Sequence, residues 1–292
     1  MTEQLFRELQ LWTSEAPDSR IENFRPSSQF CEETVKGCVE KFLKVAKREL
    51  APYSGEIGLV IYSAVDTLAR NPVIFWGFNP GQNQNIFDPT HWTIEEALRR
   101  FPTQTESLLT QVWPNAKRGT CFRNGEKVYR EQFKAGEAPY QRGTRYLLSA
   151  ACQPTNEGTF PTPLVSNFLF PQTKCEKEAG EMSNLRDIVS RCWLVHKAVF
   201  EIAQPKVLIT TATVVEYIHR FELMRLSPTT DSTPSGYSNW SCKKWRGGLK
   251  HGEMTVLQVP HMSYWGGCIE KERSREAVNW VAENVRQAIS RP

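Results

Sequence analysis

The chain is poor in the features that mark metal, redox and membrane proteins. It has eight cysteines, and no two of them form a C-x-x-C pair. Zinc and iron–sulfur sites usually carry at least one such close pair. Cys31, Cys38, Cys121, Cys152, Cys175, Cys192, Cys242 and Cys268 are therefore expected to be free thiols, and neither a metal nor a cofactor is expected. No run reaches the roughly 18 apolar residues that a membrane-spanning helix needs. Met1-Thr2-Glu3-Gln4 offers no basic stretch leading into an apolar one, so no signal peptide is read and a cytoplasmic protein is expected. Internal repeats and low-complexity segments are missing. So are a G-x-S-x-G element, a Walker loop and a pair of carboxylates placed at strand ends. Excess charge is small: 36 Lys and Arg against 32 Asp and Glu, a formal net charge of +4. That balance permits nucleic-acid binding without arguing for it.

What is present fits a globular domain. The 292 residues are 40% hydrophobic and 23% charged, enough for a sizeable core without disulfide staples. We read one domain over residues 1–292, with an N-terminal arm and helix over 1–52. Val35, Val39, Phe42, Leu43, Ala46 and Leu50 fall at helical spacing, and Pro52 ends that helix. Two apolar runs follow, Gly58 to Ala64 and Val73 to Gly77. The second is apolar on both faces, as a buried parallel strand is. It runs into the turn Gly77-Phe78-Asn79-Pro80-Gly81. Thr93-Ile94-Glu95-Glu96 has the form of a capping box.

Residues 117–145 carry eight Lys or Arg against three Glu and read as a basic insertion. Within it, Asn124-Gly125 signals a hairpin. Further central strands are expected at Leu164 to Phe168, Val207 to Thr210 and Thr255 to Val259. Helices are expected from about Leu185 to Ala203, from about Val214 to Phe221, and over a final segment using Ala277, Val278, Val281, Val285 and Ile289. The Ser/Thr/Pro/Gly-rich stretch 227–236 reads as a loop. Strands alternating with helices predict a three-layer α/β/α fold with a central, mostly parallel sheet. In such folds, sites form beyond the carboxyl ends of the strands. Gly77 to Gly81, Asn167 and His261 all fall there.

Those three segments carry a resemblance. Gly77-Phe78-Asn79-Pro80-Gly81 after a buried strand resembles the first motif of the uracil-DNA glycosylase superfamily. It is most similar to the Asn-Pro-Gly forms of the single-strand-selective and mismatch-specific families. His261-Met262-Ser263 resembles the second motif, with Met262 where a Pro is usual. Asn167 stands where the superfamily commonly places an Asn at the end of a middle strand. The similarity in order, spacing and strand context extends over about residues 58–290.

The resemblance implies hydrolysis of the N-glycosidic bond of a flipped-out, damaged or 5-modified pyrimidine in DNA, leaving an abasic site. Such a reaction needs a placed water and a donor aimed at the departing base. Asn79 would position the water, and His261 would donate to the base O2. Asn167 would read the Watson–Crick edge, with Gly77, Phe78, Gly81 and Phe87 shaping the pocket and Phe87 stacking on the base; a core position is the alternative for Phe87. Gly81 stands where uracil-specific relatives carry a Tyr that blocks the base C5, so larger 5-substituents are expected to fit. A part in defence against phage with modified DNA follows as one expectation. Tyr264 or Trp265 would enter the duplex as a wedge. Ser263 and Lys271 would touch phosphate. Lys243, Lys244 and Arg246, interleaved with Trp240 and Trp245, suit phosphate contact beside stacking, a solvated hairpin face being the bland alternative. DNA is the expected partner, the enzyme a monomer, and a lyase step is left open. Two rivals remain: a non-catalytic DNA-binding module of the same fold, and an N-glycosidase acting on free nucleosides or nucleotides. His91, His196, His219 and His251 read as capping or surface residues.

Overall fold

The structure is a computed structural model that describes residues 32–69, 71–78, 92–111, 117–123, 126–152, 162–172, 176–249 and 252–290. Helix α1 (Glu32–Leu50) leads through a 3-10 turn, Ala51–Tyr53, to strand β1 (Val73–Gly77). Helix α2 (Ile94–Arg100), the hairpin β2 (Lys117–Arg123) and β3 (Glu126–Gln132), helix α3 (Pro139–Ala151) and β4 (Leu164–Asn167) follow. Next come α4 (Glu176–Glu181), α5 (Leu185–Ala203), β5 (Val207–Thr211) and α6 (Ala212–Arg220). The chain then forms β6 (Leu226–Pro234), β7 (Ser241–Leu249), β8 (Gly252–Val259), the short α7 (Met262–Trp265) and α8 (Arg275–Ser290).

Six strands make the central sheet in the order β4-β1-β5-β8-β7-β6. β4, β1, β5 and β8 are mutually parallel, and β7 and β6 continue the sheet antiparallel. The fold is a three-layer α/β/α arrangement because β1 is apolar on both faces. Ile74 and Trp76 pack with Phe42, Val199 and Ile218 of α1, α5 and α6. Val73 and Phe75 pack on the other face with Leu147 of α3 and Val281 and Val285 of α8. Full burial of a side chain such as Phe75 contributes about 1.5–3 kcal/mol. The parallel strands run second-first-third-fourth in chain order, so the direction of winding reverses at β1. A crevice opens beyond the carboxyl ends of the strands at such a point.

Local chemistry sets the boundaries. Glu96 N–H donates to Thr93 Oγ1 at 3.2 Å, and Thr93 N–H donates to Glu96 Oε2 at 2.9 Å, the reciprocal capping box expected there. Gln204, left-handed at φ 51°, closes α5 ahead of Pro205. Arg123 lies opposite Glu126 across β2 and β3, with Asn124-Gly125 itself outside the described residues. The run at Gly58 to Ala64 makes isolated bridges, Gly58 with Pro171 and Ile61 with Ser166 of β4, rather than a strand.

Two expectations are corrected. Residues 227–236 are not a loop: β6 covers 226–234 as the edge strand, its burial alternating with period two. An edge position tolerates Pro228 and Pro234, and a register shift between Pro228 and Ser232 absorbs the irregularity. His196 is not at the surface. It is 1% exposed, its ring 4.1 Å from Trp76, and it donates from Nε2 to the Phe168 carbonyl at 3.0 Å. Residues 117–145 span the β2–β3 hairpin and the first half of α3.

Candidate functional site

Asn79, Gly81 and Phe87 lie outside the described residues. Around them, the ends of β1, β4 and β8 can be built from the residues upward. Gly77 closes β1 in register with Asn167, which closes β4. Pairing continues past both ends: Phe168 N–H donates to the Gly77 carbonyl at 2.9 Å and Leu169 N–H to the Phe78 carbonyl at 2.8 Å. Gly77 is required by space rather than by dihedral. A Cβ there would fall on Asn167 Oδ1 and on the Tyr140 hydroxyl. Asn167 is 1% exposed, and its Nδ2 donates to the Tyr62 hydroxyl at 2.5 Å. Tyr62 reaches it from the irregular run beside β4, where Tyr62 N–H donates to the Val165 carbonyl at 2.8 Å.

Tyr140 links this pair to the third strand end. Its ring centroid lies 6.4 Å from Phe75 and 6.0 Å from His261. Close contact between α3 and α7 fixes that placement. A Cβ on Gly143 would strike the Gly266 Cα, and one on Gly266 would strike the Pro139 carbonyl. Only glycine at both positions lets the two helices approach so far. Burial pushes the phenols of Tyr62 and Tyr140 up, so both remain neutral hydroxyls at ordinary pH.

His261 follows Pro260 at the end of β8 and caps α7. Its Nδ1 accepts the Ser263 N–H at 3.2 Å, and its carbonyl accepts the N–H groups of Tyr264 and Trp265, each at 3.0 Å. An Nδ1 that accepts must be unprotonated, so the neutral ring carries its proton on Nε2 as a donor. Burial also pulls the His261 pKa below the usual histidine value, which favours the same neutral form. The three strand ends therefore gather an amide, two neutral hydroxyls and an imidazole N–H, the first three of them buried. That set can read the edge of a flat, uncharged heterocycle and stabilise an oxygen on which negative charge develops.

The remaining predicted residues divide. Ser263 and Tyr264 are exposed on α7 beside His261, and Tyr264 is 60% exposed with its ring 5.8 Å from the imidazole. Trp265 is fully buried; its Nε1 donates to the Ser235 carbonyl and to Ser274 Oγ, both at 3.1 Å, so it is no wedge. The Phe78 side chain points into the core, 5.0 Å from Tyr217 edge to face, leaving only its backbone at the strand end.

Lys243 is exposed, whereas Lys244 is ion-paired with Asp231 at 3.3 Å. Lys244 and Arg246 line a cavity of about 370 Å³ with Lys206, Asp231 and Glu253. Thr255, in register with Val207 at the amino end of β5, lines it too. That cavity faces away from the strand ends that hold Asn167 and His261. Four steps of β8 separate Thr255 from Val259, ~13 Å at the usual strand rise, so Lys244 and Arg246 do not join the candidate site. Trp245 lies on the opposite face of β7 and donates from Nε1 to Gln258 Oε1 at 3.2 Å.

Tyr62 and Tyr140 are the site residues that sequence reasoning missed. A faint signal existed for Tyr140: Gly143 stands inside a helical pattern, where glycine costs about 1 kcal/mol and so marks a close approach. Nothing in the sequence marks Tyr62. A scan against protein-family models finds no match to this chain, and a search of the curated proteins finds none. Among the described residues, no helix is long and apolar enough to cross a membrane, and no cluster of His, Cys, Asp and Glu could hold a metal ion.

Proposed function

We propose that the chain is a DNA glycosylase of the uracil-DNA glycosylase type, hydrolysing the N-glycosidic bond of a flipped-out pyrimidine. The observation that carries this reading is His261. It stands at a strand end as a neutral ring with Nδ1 occupied and Nε2–H available, on the wall it shares through Tyr140 with the buried Asn167 amide. In the proposed reaction the oxygen of a water bonds to C1′ of the sugar. The bonding electrons leave with the base, and negative charge develops on its O2. His261 Nε2–H donates to that oxygen, while the Asn167 amide reads the base edge. Asn79, two residues beyond the end of β1, orients the water. An amide cannot take a proton at neutral pH, so the water's proton passes to solvent or to the departing base.

The absence of a large side chain at Gly81 supports a base with a 5-substituent as substrate, and phage genomes with modified pyrimidines are one source. The exposed Tyr264 beside His261 supports a polymer rather than a free nucleoside. The test incubates the protein with DNAs carrying uracil, thymine mismatches, or 5-hydroxymethyl or glycosylated 5-hydroxymethyl pyrimidines, then alkali. Breaks on one substrate, absent with Asn79→Ala and His261→Ala, are expected. Intact strands throughout, with DNA binding retained, would leave a binding module in place of the enzyme.

A further inference from the structure

The tip of the β6–β7 hairpin stands at the same end of the sheet as His261, because β6 runs parallel to β8. It is a rigid tip. Ser235 Oγ donates to the Trp240 carbonyl at 2.8 Å, and Tyr237 N–H donates to Ser235 Oγ at 3.1 Å. Gly236, at φ +71°, lies so close to the Arg273 carbonyl that no Cβ could fit. The buried Trp265 donates to the Ser235 carbonyl from below. This scaffold holds Trp240 at 40% exposure, with its ring 6.3 Å from that of Tyr264, edge to face. Tyr237 supports Trp240 from behind, with ring centroids 5.9 Å apart. Two large aromatic side chains are thus fixed and open to solvent directly outside His261. Of the large hydrophobic side chains, only Tyr146 and Leu194 are also exposed among the described residues.

We propose that Trp240 and Tyr264 form an aromatic corner for an unpaired nucleobase of the strand whose neighbouring nucleotide enters the site, the base stacking on one ring and meeting the other edge to face. This rests on the glycosylase reading and extends it to a surface that engages a single-stranded or opened segment of DNA. Local charge supports a base rather than a phosphate as the occupant. The flanking segment 270–276 has three acidic and three basic residues. The segment carries no net charge, and two of its acidic groups are held in pairs, Glu272 with Arg275 at 2.9 Å and Glu270 with Arg142 at 3.5 Å. What the patch offers is ring area, which every base can use through its π-face. Binding there depends on stacking, so its salt dependence is shallow compared with that of a protein held by phosphate contacts.

The test measures fluorescence anisotropy of a short labelled oligothymidylate and of an abasic oligomer with the same number of phosphates. The wild-type protein is expected to prefer the oligothymidylate. Trp240→Ala and Tyr264→Ala should each weaken that binding by about 5- to 150-fold, the range for removal of one base-stacking ring, and leave the abasic oligomer unaffected. Trp240→Phe, which keeps a ring, should retain most of the preference and separates loss of stacking from damage to the hairpin. Equal binding of the two oligomers, or alanine variants that bind like wild type, would overturn the aromatic corner. Neither oligomer needs to be cut. A failed corner beside intact base excision sinks only this inference, and an intact corner without excision sinks only the glycosylase reading.

Discussion

The two ends of the central sheet differ in kind. At the carboxyl ends of β1, β4 and β8, every group we assign to the site is neutral: the Asn167 amide, the Tyr62 and Tyr140 hydroxyls and an imidazole with Nδ1 occupied. At the amino end, Lys206, Lys244, Arg246, Asp231 and Glu253 gather around a cavity as ions of both signs. The sequence advertises the second group more loudly, since clustered cations between tryptophans are the familiar mark of nucleic-acid contact. The fold reverses that order. Lys244 is held by Asp231, which also accepts from Trp280 Nε1 at 2.8 Å, whereas the neutral end has the donors that the proposed cleavage calls for. Charge shows where a chain is soluble and sticky; directed hydrogen bonds show where chemistry is possible.

Five substitutions test that contrast, in descending order of effect. His261→Ala removes the single imidazole donor and should lower excision by ~10²–10³-fold, measured in single turnover. Excision should also fall as acid protonates Nδ1, which would break the bond from Ser263 N–H.

The second concerns the support beneath Asn167. His196 bonds to the Phe168 carbonyl, and burial pushes its pKa down from 6.5 to about 4. Its ring is neutral in the fold and takes a proton more readily in the unfolded chain. The associated stability is therefore complete above pH 6.5 and is lost as pH falls towards about 4, a total of about 3 kcal/mol. Urea denaturation across that window should show the loss in the wild type, with a visibly smaller slope for His196→Gln.

Third, Gly77→Ala forces a Cβ against Asn167 Oδ1 and the Tyr140 hydroxyl. It should cost about 1–3 kcal/mol, as overpacking does, and lower excision; thermal melting reads the first effect. Last, Lys244→Ala should change stability by no more than about 1 kcal/mol, since its pair is partly exposed. It and Arg246→Ala should leave excision within about threefold of wild type, well under the tenfold that 1.4 kcal/mol represents. A large loss in either variant would return the charged cavity to the functional surface.

Much of the frame was legible in the sequence. Apolar runs located β1, β4, β5 and β8, and helical periodicity located α5 at the bounds it has in the fold, Leu185–Ala203. β1, β4 and β5 stand out because both of their faces are buried, and α5 because one face is buried while Arg186, Ser190, Lys197 and Glu201 face outward. Periodicity failed at β6, an edge strand built from Ser, Thr and Pro, whose alternation is one of burial rather than of residue type. The site was legible as far as strand ends could be counted, which gave Gly77, Asn167 and His261. The side chains around them were not. Tyr140 meets Gly77 only because a glycine pair brings α3 onto α7, a contact between elements more than a hundred residues apart. Tyr264 and Trp265 look alike in sequence, yet neighbours on a helical turn point in different directions, and only Tyr264 reaches solvent. Period two along β7 likewise puts Lys243 on one face and Lys244 and Arg246 on the other.

The most direct test is mass spectrometry of the small molecules released from the same panel of modified DNAs. A free pyrimidine base is expected from the wild-type protein on at least one substrate, and none from Asn79→Ala. A protein that binds these DNAs and releases no base from any of them would contradict it.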